Sequence, residues 1–208
     1  MNPQKDPILC LITDLETPPV AMAERALKGG ANMLQLRRKN ASGRELCRLA
    51  DALLPICRRA GALFIINDRL DVALATGADG VHLGQEDLPV GEARKLLGAG
   101  KIVGASTSSA AEALKAEREG ADYVGFGHIF PTGSKTKGYP PLGPDAVDEA
   151  VRMLRIPLIA IGGITLENAH EPMRRGASGI AVISAVTKAE DPEEASRRLL
   201  AAMKGEAG

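Results

Sequence analysis

Eight short apolar runs rich in Ile, Leu and Val recur along the whole chain, each followed by an amphipathic stretch of helical period. The runs cover residues 8–14, 33–38, 63–67, 80–83, 102–106, 123–130, 157–162 and 179–184, and the helical stretches cover 20–28, 43–59, 69–75, 90–97, 110–119, 144–154, 166–174 and 192–203. Strands that are apolar throughout need cover on both faces, and strictly alternating helices supply it, so the pattern specifies a parallel sheet of βα units. A repeated phrase marks the helix-to-strand turns: Gly29-Gly30-Ala31-Asn32, Gly77-Ala78-Asp79-Gly80, Glu119-Gly120-Ala121-Asp122 and Gly176-Ala177-Ser178-Gly179. Glycine there takes the left-handed conformation that ends a helix. The last helix carries its own start signal, Asp191-Pro192-Glu193-Glu194, with proline in the first turn.

Eight units without a linker or compositional break predict an α/β chain folded as a single (β/α)8 TIM barrel over residues 1–208, near the short end for that architecture. A doubly wound open sheet is the weaker alternative, because no glycine-rich dinucleotide fingerprint follows any strand. Twenty-six basic and 26 acidic residues give a formal net charge of zero, and the chain has no Trp, two Tyr and three Phe. No basic footprint exists and few stacking platforms for bases are available, which argues against nucleic acid as a partner. Three cysteines without a C-x-x-C pair suggest no disulfide framework or zinc knuckle, and fit a reducing compartment. With no long apolar leader and no run of 18 apolar residues, the expectation is a cytoplasmic protein with no membrane partner.

In such a barrel the chemistry sits at the C-terminal ends of the strands, so polar residues there carry the functional reading. On the second strand Leu34 and Leu36 alternate with Gln35, Arg37 and Lys39. The leucines are expected against the helices and the polar set along the barrel axis. Two cations at the mouth are costly unless an anion or carboxylates neutralise them. The third strand ends in Asn67-Asp68, and the fourth leads through His82-Leu83-Gly84 to Gln85-Glu86-Asp87. Asp68 and Asp87 reach one rim and suit Mg²⁺, which takes oxygen ligands and bridges carboxylates to phosphates; the competing reading is that each caps a helix. His82 reads as a packed, hydrogen-bonded structural residue.

Ser106 follows the fifth strand. Residues 127–138 form the longest loop, whose hydroxyls, glycines and lysines suit a flap over an anion, with Lys135 as its phosphate contact. After the last two strands come Gly162-Gly163 and Ile183-Ser184, where barrels of this class often bind phosphate through backbone N–H groups. Two anion-binding poles facing one mouth point to group transfer between two phosphorylated ligands.

The segments Gln35-Leu36-Arg37-Arg38-Lys39, Ile66-Asn67-Asp68-Arg69, Val81-His82-Leu83-Gly84-Gln85-Glu86-Asp87-Leu88-Pro89, residues 131–135, Ile161-Gly162-Gly163-Ile164 and Val182-Ile183-Ser184 together resemble the thiamine phosphate synthase family over essentially the whole chain. The resemblance implies a (β/α)8 barrel that condenses hydroxymethylpyrimidine diphosphate with thiazole phosphate, releasing diphosphate, and needs Mg²⁺. It places Gln35, Arg37, Lys39 and Asn67 at the pyrimidine diphosphate, Asp68 and Asp87 on the metal, and Ser106 and Lys135 on the diphosphate. Thr132, Ser134, Gly163, Ile183 and Ser184 would hold the thiazole phosphate. Arg37, Lys39, Ser106 and Lys135 are the expected catalytic set. Its route is dissociative, with a pyrimidine methylene cation captured by the thiazole nitrogen. The partners implied are small phosphorylated substrates, and a homo-oligomer is compatible with the sequence.

Three positions depart from the family's common pattern. Arg38 stands where glutamate is frequent, Ser108 where histidine is common, and Ser134 where threonine is frequent. His128 lies in a Gly-His-Ile-Phe context also found in the related thiazole tautomerases, which makes that activity the alternative. A non-catalytic precursor-binding protein is a third reading. Intact Asp68 and Asp87 and the Gln-Leu-Arg-x-Lys strand favour the synthase over both.

Overall fold

The computed structural model describes residues 7–14, 17–133 and 138–206. Among these residues eight strands run β1 (Ile8–Ile12), β2 (Met33–Leu36), β3 (Leu63–Asn67), β4 (Gly80–Leu83), β5 (Ile102–Thr107), β6 (Tyr123–Gly127), β7 (Leu158–Ile161) and β8 (Gly179–Val182). They pair in sequence order, all in parallel, and β8 returns to β1 with Ile8 opposite Gly179, closing the barrel. The closed alternative predicted from the eight-unit count is therefore the observed one.

Around the sheet stand α1 (Pro19–Lys28), α2 (Gly43–Ala60), α3 (Leu70–Thr76), α4 (Val90–Leu97), α5 (Ala110–Arg118), α6 (Asp145–Met153), α7 (His170–Arg174), α8 (Ser184–Thr187) and α9 (Pro192–Lys204). Side chains that alternate along each strand separate two cores. Leu9, Leu11, Leu34, Leu36, Phe64 and Ile66 point outward into the layer shared with the helices. Ile8, Cys10, Ile12, Met33, Ile65, Tyr123, Ile159 and Ala181 fill the barrel itself. Each fully buried Leu or Ile contributes about 1.5–3 kcal/mol relative to exposure, so reversing the register of one strand would expose several such side chains at once.

Local chemistry sets the helix ends. Ser42 accepts from the Glu45 N–H at 3.2 Å, and Asp191 accepts from Glu193 and Glu194 at 2.9 and 3.0 Å, caps worth about 1 kcal/mol each. The repeated turn phrase behaves as expected, with Gly30, Gly77, Gly120 and Gly176 at φ between 72° and 104°. No helix among the described residues is long and apolar enough to cross a membrane.

Several boundaries differ from the sequence reading. The strand expected over 123–130 stops at Gly127, because the chain then turns onto the tip of β7, where Ile129 N–H donates to Ile161 O at 2.9 Å and Phe130 N–H to Gly162 O at 3.0 Å. The run over 179–184 stops at Val182, and Ser184 opens α8, a four-residue helix too short to show a period. The helix expected from residue 166 starts at His170. Asn168 delays it by accepting from Thr165 N–H and donating to Gly163 O, local bonds that compete with helix.

Candidate active site

A cavity of about 420 Å³ opens at the C-terminal ends of the strands. Its floor is the top of the barrel core, Cys10, Ile12, Tyr123, Ile159 and Ala181. Gln35, Arg37 and Lys39 rise from β2 along one wall, as their alternation with Leu34 and Leu36 requires, and Gln35 is only 3% exposed. Arg37 lies past the end of β2 but is not loose. Thr13 Oγ1 accepts from Arg37 N–H at 2.9 Å and donates to Arg37 O at 3.1 Å. The sequence reading missed this role of Thr13, whose only signal was a hydroxyl in an otherwise apolar run.

Asp68 follows β3 with φ at 62°, the one non-glycine positive φ among the described residues. Its N–H donates to His82 O at 2.8 Å, while the next amide, on Arg69, folds back to Asn67 O at 2.7 Å. Such a conformation costs about 1–3 kcal/mol and persists where its surroundings impose it. Asp87 Oδ2 accepts from Gly84 N–H at 2.6 Å. Neither carboxylate caps a helix: α3 begins behind Arg69 and α4 behind Pro89, both without a side-chain cap. The competing reading of the two residues as caps is thereby removed.

The two carboxyls lie within hydrogen-bonding reach of each other. Burial, the hydrogen bond to Asp87 and repulsion from it push the Asp68 carboxyl up to about 6, against the pull of Lys39 and Arg37. An all-oxygen pair whose charges repel in a half-buried corner fits a hard divalent cation. No cluster of three or more His, Cys, Asp or Glu exists among the described residues, so an ion there would complete its shell with water and ligand oxygens.

Ser106, on β5, meets His82 Nε2 at 2.9 Å, and its carbonyl accepts from Gln85 Nε2 at 2.5 Å. His82 Nδ1 meets the Tyr123 hydroxyl at 2.9 Å. His82 is thus hydrogen-bonded and largely buried, as expected. Of the departures, Ser108 is held by Glu112, whose Oε2 accepts from its N–H at 2.7 Å and its Oγ at 3.0 Å, so the β5 loop is tied without an imidazole. Arg38 donates to Thr17 O at 3.0 Å, joining the loops after β1 and β2.

Across the mouth, Thr132, Gly162 and Ile183 line the cavity together with His128. Gly163 and Ser184 are not among its lining residues and sit behind Gly162 and Ile183 in the chain. Gly162 and Gly163 have φ of 99° and 65°, and a Cβ on Gly163 would lie 2.3 Å from Pro131 O. The glycine pair therefore provides both a left-handed turn and a close approach of the long loop. Ser134 and Lys135 lie outside the described residues. His128 is 8% exposed, its ring 5.2 Å from that of Tyr139, and its Nδ1 has no hydrogen-bond partner among the described residues.

A family model described as thiamine monophosphate synthase matches residues 9–186. The chain belongs to that family. A thiamine-phosphate synthase of Chlorobium luteolum is 73% identical over 98% of this chain and 96% of its own length. One of Chlorobium phaeovibrioides is 63% identical over 95% of this chain and 94% of its own. The solved thiamine phosphate pyrophosphorylase of Pyrococcus furiosus superposes with a TM-score of 0.88 at 43% identity, covering 97% of each chain. The two Chlorobium relatives are named thiamine-phosphate synthases and the Pyrococcus one a thiamine phosphate pyrophosphorylase, names that support neither the tautomerase nor the non-catalytic binder.

Proposed function

We infer that the cavity condenses hydroxymethylpyrimidine diphosphate with hydroxyethylthiazole phosphate to give thiamine phosphate and diphosphate. The observation that carries this reading is the convergence of Arg37, Lys39, Asp68, Asp87 and Ser106 on one mouth. Gln35 and Asn67 would hold the pyrimidine, and Arg37, Lys39, Ser106 and Lys135 the diphosphate. Thr132, Ser134, Gly163, Ile183 and Ser184 would hold the thiazole phosphate, with backbone amides at the start of α8 as donors. Asp68 and Asp87 would hold Mg²⁺, which when bound neutralises the leaving diphosphate. With a diphosphate ester of charge about −3, these cations and carboxylates sum to near neutrality, as a poorly solvated site requires.

The route that this chemistry suits is dissociative. Departure of diphosphate leaves a methylene cation on the electron-rich pyrimidine, and the thiazole nitrogen forms the new C–N bond. The chain's own work is then to stabilise charge on the leaving group and to keep the nucleophile in line. A site rich in cations and hydroxyls is sufficient for that.

Incubating the full chain with both phosphorylated precursors and Mg²⁺ should release diphosphate and thiamine phosphate one for one, and chelating the metal should stop both. Binding of the precursors without diphosphate release would overturn the reading in favour of a carrier.

A further inference from the structure

Four strands contribute to a polar line that runs from the barrel core to the mouth: Gln35 on β2, His82 on β4 and Tyr123 on β6 are buried, and Ser106 on β5 is half-buried at the cavity wall. Room for it is made in glycine positions. A Cβ on Gly104 would lie 2.2 Å from the Tyr123 ring, and one on Gly125 would lie 3.1 Å from His82 Cε1. Tyr123 is fully buried, and burial keeps its phenol protonated far above the usual range. Its hydroxyl meets His82 Nδ1 and the other ring nitrogen meets Ser106 Oγ, both at 2.9 Å.

A neutral imidazole has one donor and one acceptor nitrogen, so the line has a direction. In one direction Tyr123 donates to Nδ1, Nε2–H donates to Ser106 Oγ, and the serine proton is left for a ligand. In the other, Ser106 gives its proton to Nε2 and has none to offer. An ionised diphosphate accepts hydrogen bonds and donates none, so a ligand resting on Ser106 selects the first direction.

We propose that Tyr123 and His82 are positioning residues, which lock the His82 ring as the Nε2–H tautomer and thereby aim the Ser106 hydroxyl proton at the departing diphosphate. The inference rests on Ser106 touching the diphosphate, as read above. Charge accumulates on the diphosphate as the C–O bond breaks, so a donor already aimed there acts more on the transition state than on the bound substrate. Loss of the aim should therefore lower kcat and leave KM almost unchanged.

The test is Tyr123→Phe in the full chain, alone and combined with Ser106→Ala. The single change should lower kcat about tenfold with KM for the pyrimidine diphosphate changed less than about twofold, and it should add nothing to Ser106→Ala, because it acts through that residue. The chain has three histidines, so ¹⁵N spectra with Mg²⁺ and inorganic pyrophosphate can report the His82 tautomer directly, and Nε2 should carry the proton. Should Tyr123→Phe fail to fold, His82→Gln and His82→Leu replace it: the amide of Gln restores a donor near the Nε2 position and most of kcat, and Leu does not. Normal kcat in Tyr123→Phe, effects that multiply with Ser106→Ala, an Nδ1–H tautomer, or equal losses in the two His82 variants would each overturn the proposal. Full activity of Ser106→Ala would overturn it differently, by removing the diphosphate contact on which it rests.

Discussion

Asp68 bears two local costs, a left-handed backbone and a carboxyl held against Asp87. Asn tolerates that backbone at least as well and carries no charge. Asp68→Asn should therefore raise the melting temperature of the metal-free protein near neutral pH and lose most of the turnover, with calorimetry and a diphosphate-release assay as the measurements. Asp87→Ala removes one turn hydrogen bond, to Gly84 N–H, worth about 1 kcal/mol, and relieves the same repulsion. Its melting temperature should move by no more than about 4 °C, with turnover falling by orders of magnitude. Large destabilisation with normal turnover would show that Asp87 is only a brace for its turn. The approach of these two carboxylates was legible because each follows a neighbouring strand. The grip of Thr13 on Arg37 was not, since a threonine at a strand end carries no signature of the partner it chooses.

Among the elements, the turn after β7 shows how one segment limits another. Gly163 holds a left-handed φ of 65° with Pro131 O where a Cβ would stand. Gly163→Ala should destabilise by more than about 1 kcal/mol and push the long loop outward. The expected kinetic result is a higher KM for the thiazole phosphate with the pyrimidine diphosphate KM little changed. The same region explains what periodicity could not reveal. The four residues of α8 are too few for an amphipathic pattern, and α7 is shortened by Asn168, whose side-chain bonds are invisible to a hydrophobic count. The long apolar runs and the capped helices were readable because their signals are local and repeated. Asp191, for instance, belongs to the start signal of the last helix and accepts from the N–H groups of Glu193 and Glu194 at the head of α9.

At the scale of the whole molecule, the barrel gathers charges from strands distant in sequence, and its stability should report on what occupies the mouth. A carboxyl raised from 3.8 to about 6 in the folded state binds its proton more tightly there than in the unfolded chain. Its contribution to folding is thus present at low pH and is lost as pH rises through that window. A divalent cation held by Asp68 and Asp87 would replace the proton and reverse the loss. Added Mg²⁺ should consequently raise the melting temperature more at about pH 7.5 than at about pH 5, and in Asp68→Asn the difference should vanish. An equal Mg²⁺ effect at both values would place the ion elsewhere.

The pairing of Ile8 with Gly179 sets an order of events during synthesis. The first strand of the barrel to be made must wait for about 170 further residues before its second neighbour exists, and until then one of its edges has unsatisfied amides and carbonyls open to any passing chain. Completion of the ring is a late, long-range event, and a nascent chain stalled before β8 is the form of this protein most exposed to aggregation.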